Sequence, residues 1–451
     1  MTGQADIVVV GLGVGGEEVG GKLAEAGLSV VGIERRLVGG ECPYWGCIPS
    51  KMMIRAANLL AETRRVDGMA GHATVTPDWA PVAKRIRDEA TDNWDDKVAV
   101  DRFVGKGGTF VRGSATFLSP DTVDVDGTTY TARKGIVIGV GTSASVPPID
   151  GLADTPYWTN KQAIETETVP SSLICLGGGA IGLELAQAFA RFGAKVTIVE
   201  AADQLIAMEE PESSELVARV LAADGITIRT GAKAQRVSHD GNEFTVHIEG
   251  GDPVRGERLL VAVGRRSNFA DLGLNAAGLE ANAPNIDVDE RMRAGDKLWA
   301  IGDITGHGAF TQMAMYQAGI AVRDILGQDG PPADYRAIPR VTFTDPEIGS
   351  VGLSETQARD AGVRVRTAIA PIPSSSRGWI HKAGNDGFIK LVADADRGVL
   401  VGATSAGPAG GEVLSALVVA VKAAVPIATL RSMIYAYPTF HRAIEDALSR
   451  L

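Results

Sequence analysis

The residues best suited to do chemistry fall in one string, Gly39-Gly40-Glu41-Cys42-Pro43-Tyr44-Trp45-Gly46-Cys47-Ile48-Pro49-Ser50-Lys51, which holds two of the chain's three cysteines five positions apart. Thiols at that spacing can close a disulfide where the backbone coils. Pro49-Ser50 reads as the first turn of a helix, where proline is tolerated because the amide has no partner anyway. A thiolate at such a helix start lies against unpaired amides and the positive end of the dipole, which lowers its pKa. For an arbitrary cysteine pair the default is two unrelated buried thiols. Here the pair comes directly after a strand, loop, helix and strand, and that position argues for redox chemistry.

This preceding unit occurs twice. Residues 6–10 form a short β-branched run, read as a buried strand, and lead into Gly11-Leu12-Gly13-Val14-Gly15-Gly16; a helical stretch reaches Ala26, and Ser29–Ile33 is a second strand ending on Glu34. Downstream, Leu173–Leu176 runs into Gly177-Gly178-Gly179-Ala180-Ile181-Gly182, a helix reaches Phe192, and Lys195–Val199 ends on Glu200. In both copies the acid lies 18 positions after the last glycine. The first glycine permits a tight turn, the second lets backbone approach a pyrophosphate, and the third lets helix and strand pack closely. The pyrophosphate rests on the helix N-terminus, and the acid accepts hydrogen bonds from a ribose hydroxyl. One such motif is a weak signal. Two, each with its acid, predict two bound dinucleotides. At the second site Glu200 is followed by Ala201, Ala202 and Asp203, with no arginine to hold a 2′-phosphate, so NADH is expected over NADPH.

Composition narrows the class. At about 100–200 residues per domain, 451 residues make two to four domains. A net charge of −11 argues against nucleic acid or an anionic membrane as partner. The apolar run Val413–Val421 is too short to span a membrane, and Lys422 and Pro426 break any extension of it. The N-terminus lacks the basic region and cleavage site of a signal peptide, and three cysteines make no disulfide framework, so a cytoplasmic protein is expected. Between the copies, Lys51–Arg65 and Trp79–Val100 read as helices, and Gly108–Gly113, Thr116–Phe117, Val123–Val125 and Thr128–Thr131 as short antiparallel strands. Ile136–Val140 precedes Gly141-Thr142-Ser143, and Leu259–Val263 precedes Gly264. After about residue 335 the pattern is α+β, with strands at Val341–Thr344, Phe388–Val392 and Val399–Thr404 and helices at Glu412–Ala424 and Thr439–Leu448.

Together the two Gly-rich units and the Gly-Gly-x-Cys…Gly-Cys-Ile-Pro-Ser-Lys string resemble the class I pyridine nucleotide–disulfide oxidoreductases, the family of dihydrolipoamide dehydrogenase, glutathione reductase and mercuric reductase. The resemblance covers essentially the whole chain. It implies an α/β homodimer: an FAD-binding domain (1–150, returning at 271–335), an NAD(H)-binding domain (151–270) and an α+β dimerisation domain (336–451). By this likeness Gly11, Gly13, Gly16, Glu34, Gly40, Gly141, Thr142, Gly302 and Asp303 hold FAD, and Gly177, Gly179, Ile181, Gly182, Glu200 and Gly264 hold NAD. Cys42 would be the interchange thiol and Cys47 the charge-transfer thiol against the flavin. Lys51 matches the lysine near flavin N5, Glu184 its carboxylate partner, and Asp303 the aspartate of the ribityl chain, although Gly302-Asp303 alone would read as a capped turn. A helix from Ala309 would aim its N-terminus at the flavin's pyrimidine edge.

Departures from the family pattern bear on the acceptor. Most relatives carry a C-terminal His-Pro-Thr segment with a glutamate five residues later; here Tyr437 stands at the histidine position and Arg442 at the glutamate's. His441 either approaches the same pocket, one helical turn beyond Tyr437, or faces solvent. Mercuric reductases and soluble transhydrogenases also place tyrosine here, and a relative acting on ketopropyl-coenzyme M replaces the pair. Yet an N-terminal metal-binding domain and C-terminal vicinal cysteines are both missing from the sequence, while the redox cysteine pair that soluble transhydrogenases usually lack is present. Pro43-Tyr44-Trp45 is bulkier than the family's small-Asn-Val; either packing or an altered acceptor site accounts for it. The other five histidines show no metal-ligand spacing, and no metal site is expected. Cys175 reads as core and Arg377–His381 as a surface loop. The expected activity is NADH-preferring reduction of a Cys42–Cys47 disulfide through FAD, then of a small disulfide or other electrophile. Lipoamide oxidation, mercuric-ion or quinone reduction, and a redox sensor or complex subunit without turnover are the alternatives.

Overall fold

The computed structural model describes residues 2–269 and 271–451, and the chain falls into two compact units. The first comprises Met1–Pro49, Lys84–Ser145 and Arg265–Asp334. Its eight-stranded sheet runs Arg293–Gly295, Leu298–Ala300, Thr128–Ile138, Thr2–Val10, Val30–Glu34, Thr109–Arg112, with the hairpin Ala115–Ser119/Thr122–Val125 joined to Thr128–Ile138. Thr2–Val10 is central and parallel to both neighbours, pairing Ile7 with Val30 and Val10 with Ile138. A parallel strand is covered on both faces, which is why Ile7, Val8, Val9 and Val10 are all buried.

Three readings change here. Thr109–Arg112 is not antiparallel: it extends the sheet in parallel, Val31 beside Thr109. Residues 128–138 form one strand rather than two pieces. Gly135 carries it through at φ +146°, where a Cβ would lie 2.1 Å from the Lys297 carbonyl oxygen. The helix expected over 79–100 is broken into Ala80–Arg85, a π-helical turn Ile86–Ala90 and Lys97–Gly105. Asp92, Asn93 and Trp94 separate the last two, at left-handed φ of 47°, 53° and 57°; Asp and Asn tolerate that region because their short side chains bond locally.

The second unit comprises Ser50–Ala83, Val146–Gly264 and Tyr335–Leu451. A four-stranded parallel sheet, Thr227–Arg229, Lys195–Val199, Ser172–Leu176, Arg258–Val261, is accompanied by a three-stranded antiparallel one over residues 234–256. The C-terminal part forms a five-stranded antiparallel sheet in the order Pro339–Thr342, Glu347–Gly352, Val399–Gly407, Phe388–Asp394, Val365–Pro371. Helices Gly410–Lys422 and Ala443–Leu448 pack their apolar faces on this sheet through Leu414, Leu417, Ile444 and Leu448. Within this unit Lys390, 3% exposed, bonds to Glu210, Glu212 and Glu355, while Arg340 pairs with Glu209. Among the described residues no helix is long and apolar enough to cross a membrane.

Candidate active site

Each glycine of the two loops does a separate job. Gly11 (φ +91°) and Gly177 (φ +111°) make the turn, where a Cβ would lie 2.7 Å from the Gly139 oxygen and 2.4 Å from the Ala262 oxygen. Gly16 and Gly182 pack helix against loop: a Cβ would lie 1.9 Å from the Gly11 oxygen in one copy and 2.4 Å from the Gly177 oxygen in the other. Gly13 and Gly179 differ. They N-cap the helices Val14–Glu25 and Ala180–Arg191 at ordinary φ values of −66° and −84°. A Cβ on Gly13 would meet nothing nearer than 3.9 Å, and one on Gly179 nothing within 4 Å. Neither fold nor strain demands glycine there, so its smallness suits a non-protein group approaching the helix amides, as a dinucleotide pyrophosphate does.

The two acids are held alike. Glu34 accepts from the amides of Leu12 (2.9 Å) and Arg36 (2.7 Å), and Glu200 from those of Gly178 (2.5 Å) and Ala202 (2.7 Å). Each carboxylate is thus fixed at its loop with lone pairs to spare for ribose hydroxyls. A cleft lined by Gly11, Glu34, Arg35, Ser114, Ala115 and Asn268 opens beside Glu34. Gly40, at φ +70°, rests on the first loop, where a Cβ would lie 2.9 Å from Gly13 Cα. Gly141 and Gly264 also have positive φ with open space at the Cβ position, and Ile181 is 37% exposed on the second loop. These residues fit FAD and NAD(P)H.

Cys42 sits in a short helix, Glu41–Trp45, and the long helix Cys47–Arg64 begins on Cys47 itself, two residues before Pro49. Cys47 is exposed and Cys42 partly covered. The hydrogen-bonding Cys47 thiol, and then burial, push the Cys42 thiol well above the ordinary range, with Thr311 opposing. Cys47 Sγ is 3.5 Å from Thr311 Oγ1, on the first residue of the helix Thr311–Ile325. Tyr44 is buried and donates from its hydroxyl to the Val38 carbonyl (3.1 Å), so packing accounts for it.

Asp303, in the turn Gly302–Thr305, accepts from Thr142 Oγ1 at 2.5 Å. Thr142 in turn receives Arg265 Nε (2.7 Å), and Arg265 Nη2 reaches the Thr142 carbonyl (2.8 Å) and Glu41 Oε2 (2.6 Å). Glu41, Arg265 and Thr311 are site residues that the sequence alone does not single out. Their partners lie up to 264 positions away, and only Glu41's place beside Cys42 and Arg265's place after Gly264 give any signal.

In the second unit Lys51 Nζ lies 2.7 Å from Glu184 Oε2 and 4.6 Å from the Phe343 ring centroid, and the Phe343 amide donates to Glu184 Oε1 (2.9 Å). Lys51 and Glu184 are therefore a matched pair. Tyr437 is 68% exposed, with the Arg442 guanidinium 5.1 Å from its ring centroid. His441 does not lie one helical turn beyond Tyr437. The helix starts only at Ala443. His441 is half-buried, 5.3 Å from the Tyr435 ring, and its Nε2 has no hydrogen-bond partner. Residues 376–381 form a short helix rather than a loop, with Trp379 76% exposed. Cys175 is fully buried. Among the described residues no group of three or more His, Cys, Asp or Glu is placed to hold a metal ion.

Comparison with known proteins agrees with this geometry. Residues 5–318 match the pyridine nucleotide-disulphide oxidoreductase family, and residues 338–448 match that family's dimerisation domain. The chain is 32% identical over 453 residues to mercuric reductase from Streptomyces lividans, covering 98% of this chain and 95% of the relative. It is 30% identical over 462 residues to dihydrolipoyl dehydrogenase from Haloferax volcanii, covering 98% and 95%. Among solved structures, the Cu(II) complex of the HOCl-induced flavoprotein disulfide reductase RclA from Escherichia coli superposes with a TM-score of 0.87 at 27% identity, covering 99% of both chains. Two Gly-rich loops with clamped acids, a cysteine pair beside the first loop and these matches over nearly the whole length converge: the chain belongs to the pyridine nucleotide-disulphide oxidoreductases, flavoproteins that bind FAD and NAD(P)H.

Proposed function

We propose that the protein is a homodimeric, NADH-preferring reductase that passes electrons through the Cys42–Cys47 pair to a small disulfide or another electrophile needing no histidine base. The observation that carries this reading is the cysteine pair itself: an accessible Cys47 beside Thr311, hydrogen-bonded to Cys42, on a segment resting against the first Gly loop. FAD, when bound, supplies two-electron transfer between nicotinamide and sulfur. The chain's own residues do the rest. Glu34 and Glu200 bind ribose hydroxyls, and the carboxylate of Glu200 repels a 2′-phosphate. Asp303 orients the flavin's side chain, and Lys51, matched by Glu184, supplies a fixed cation.

Two electrons break the Cys42–Cys47 bond and leave two thiols. The Cys42 thiolate attacks one sulfur of the acceptor disulfide and expels the other as a thiolate. Cys47 then attacks Cys42 sulfur, the mixed disulfide breaks, the second acceptor thiol leaves, and the Cys42–Cys47 bond is restored. The acceptor gains two electrons, and each leaving thiolate one proton. With arginine in place of the partner glutamate, Tyr437 serves as hydrogen-bond donor or ligand rather than base.

That residue also favours a second reading, in which the acceptor is a thiophilic metal ion taken directly by the thiols. Exposed Ile434, Trp379 and Tyr437 in the dimerisation domain support self-association. The test is NADH oxidation screened against small disulfides, lipoamide, mercuric and cupric ions and quinones, with Cys42→Ser and Cys47→Ser beside the wild type. Two-electron reduction is expected to give a long-wavelength band that Cys47→Ser abolishes. Acceptor turnover surviving both serine variants would refute the reading.

A further inference from the structure

The helix carrying Cys42 cannot hold its own shape. It is five residues long, about one turn, and an isolated turn fixes more backbone than its single hydrogen bond repays. Glycines bracket it: Gly39 and Gly40 before it, at φ +100° and +70°, and Gly46 after it. Its N-cap, Gly40, makes no side-chain cap bond. Side chains must therefore hold the turn. One tie is Tyr44 to the Val38 carbonyl. Another is Glu41, adjacent to Cys42, whose carboxylate takes Arg265 Nη2 at 2.6 Å.

Arg265 is anchored in its turn. It opens the strand Arg265–Ser267, paired antiparallel with Thr142–Ala144, and bonds both the hydroxyl and the carbonyl of Thr142. The Thr142 hydroxyl donates a hydrogen bond to Asp303, whose carboxylate lies 4.0 Å from Arg265. One guanidinium fork, 19% exposed, thus spans the start of the Cys42 helix and the flavin-side Thr142–Asp303 bond. Lysine could not do this, having one nitrogen in place of a planar fork.

We propose that Arg265 is a positioning residue for the redox pair, acting through Glu41 to keep Cys42 sulfur within bonding reach of Cys47. The proposal rests on the dithiol reading of the protein's function. A pin of this kind raises the effective concentration of one thiol at the other, so releasing it weakens the disulfide relative to an external dithiol.

The test is the equilibrium constant of the Cys42–Cys47 disulfide against dithiothreitol in FAD-loaded protein, read by trapping the thiols and weighing the products. Glu41→Gln, Arg265→Gln, Arg265→Lys and the Glu41→Gln/Arg265→Gln double variant are compared with wild type. Each single change is expected to lower the constant by about fivefold or more, with Lys failing to rescue, and the double variant to be no worse than the worse single, as residues of one network behave. A general loss of packing would lower the melting temperature without this pattern. Glu41→Gln within about twofold of wild type, or single effects that add in the double variant, overturns the proposal. A wild-type pair that forms no disulfide at all overturns both it and the dithiol reading beneath it.

Discussion

Gly179→Ala separates what the fold needs from what the coenzyme needs. At φ −84°, with no heavy atom within 4 Å of a built Cβ, the protein itself has room for the methyl group. The cost to the fold is limited to exchanging glycine for the poorer N-cap alanine, about 1 kcal/mol. On the proposed reading the methyl would stand where backbone and pyrophosphate come together, and one misplaced methylene in a fitted site costs ~10–200-fold. KM for NADH is therefore expected to rise by about that range, with FAD content and far-UV circular dichroism near wild type. Gly182→Ala is the control. Its Cβ would lie 2.4 Å from the Gly177 oxygen and 3.0 Å from Cys175 Sγ, a clash that must be relieved by moving backbone. That variant should lose about 1–3 kcal/mol of stability. The assay is steady-state NADH oxidation beside thermal unfolding of both variants. An unchanged KM in Gly179→Ala, or destabilisation equal to that of Gly182→Ala, would refute the division of labour among the loop glycines.

Wild-type kcat/KM should favour NADH over NADPH by at least about tenfold, because a carboxylate against a 2′-phosphate costs several kcal/mol, and Glu200→Ala should narrow the ratio; equal efficiencies in wild type would count against Glu200. Tyr437→Phe should cost about tenfold with the best disulfide acceptor, the worth of a hydrogen bond to a charged group, while His441→Ala changes turnover little. A neutral Tyr437→Phe beside a hundredfold loss in His441→Ala would reverse that assignment. Lys390→Met leaves Glu210, 4% exposed, without its cation and should destabilise the protein by about 3–5 kcal/mol in denaturant unfolding, with partial recovery on adding Glu210→Gln.

Sequence reading reaches the site where physics leaves one residue type a choice. Positive φ at Gly11 and Gly177 and the close approaches at Gly16 and Gly182 admit little but glycine, so loops and strands are legible together. The cysteine string is legible for a similar reason, since few segments place two thiols beside such a loop. The features that escape depend on partners far along the chain. Nothing local gives Thr109–Arg112 its parallel direction, which it takes from Val30–Glu34. The strand Val365–Pro371 is hidden because Arg366 and exposed positions interrupt its apolar pattern, while pairing with Phe388–Asp394 stabilises it regardless. Arg265 and Glu41, 224 positions apart, announce nothing until the fold joins them. The break at Asp92-Asn93 is the legible exception, a turn signal that overrides the helical periodicity around it.

The clamping of Glu200 has an evolutionary side. Its two oxygens take one amide each, Oε2 that of Gly178 and Oε1 that of Ala202. Remove the carboxylate and those amides become an anion receptor with no occupant, built from main chain that mutation cannot easily erase. On the proposed reading, coenzyme preference rests on one side chain, and its replacement leaves the main chain of the loop around it unchanged.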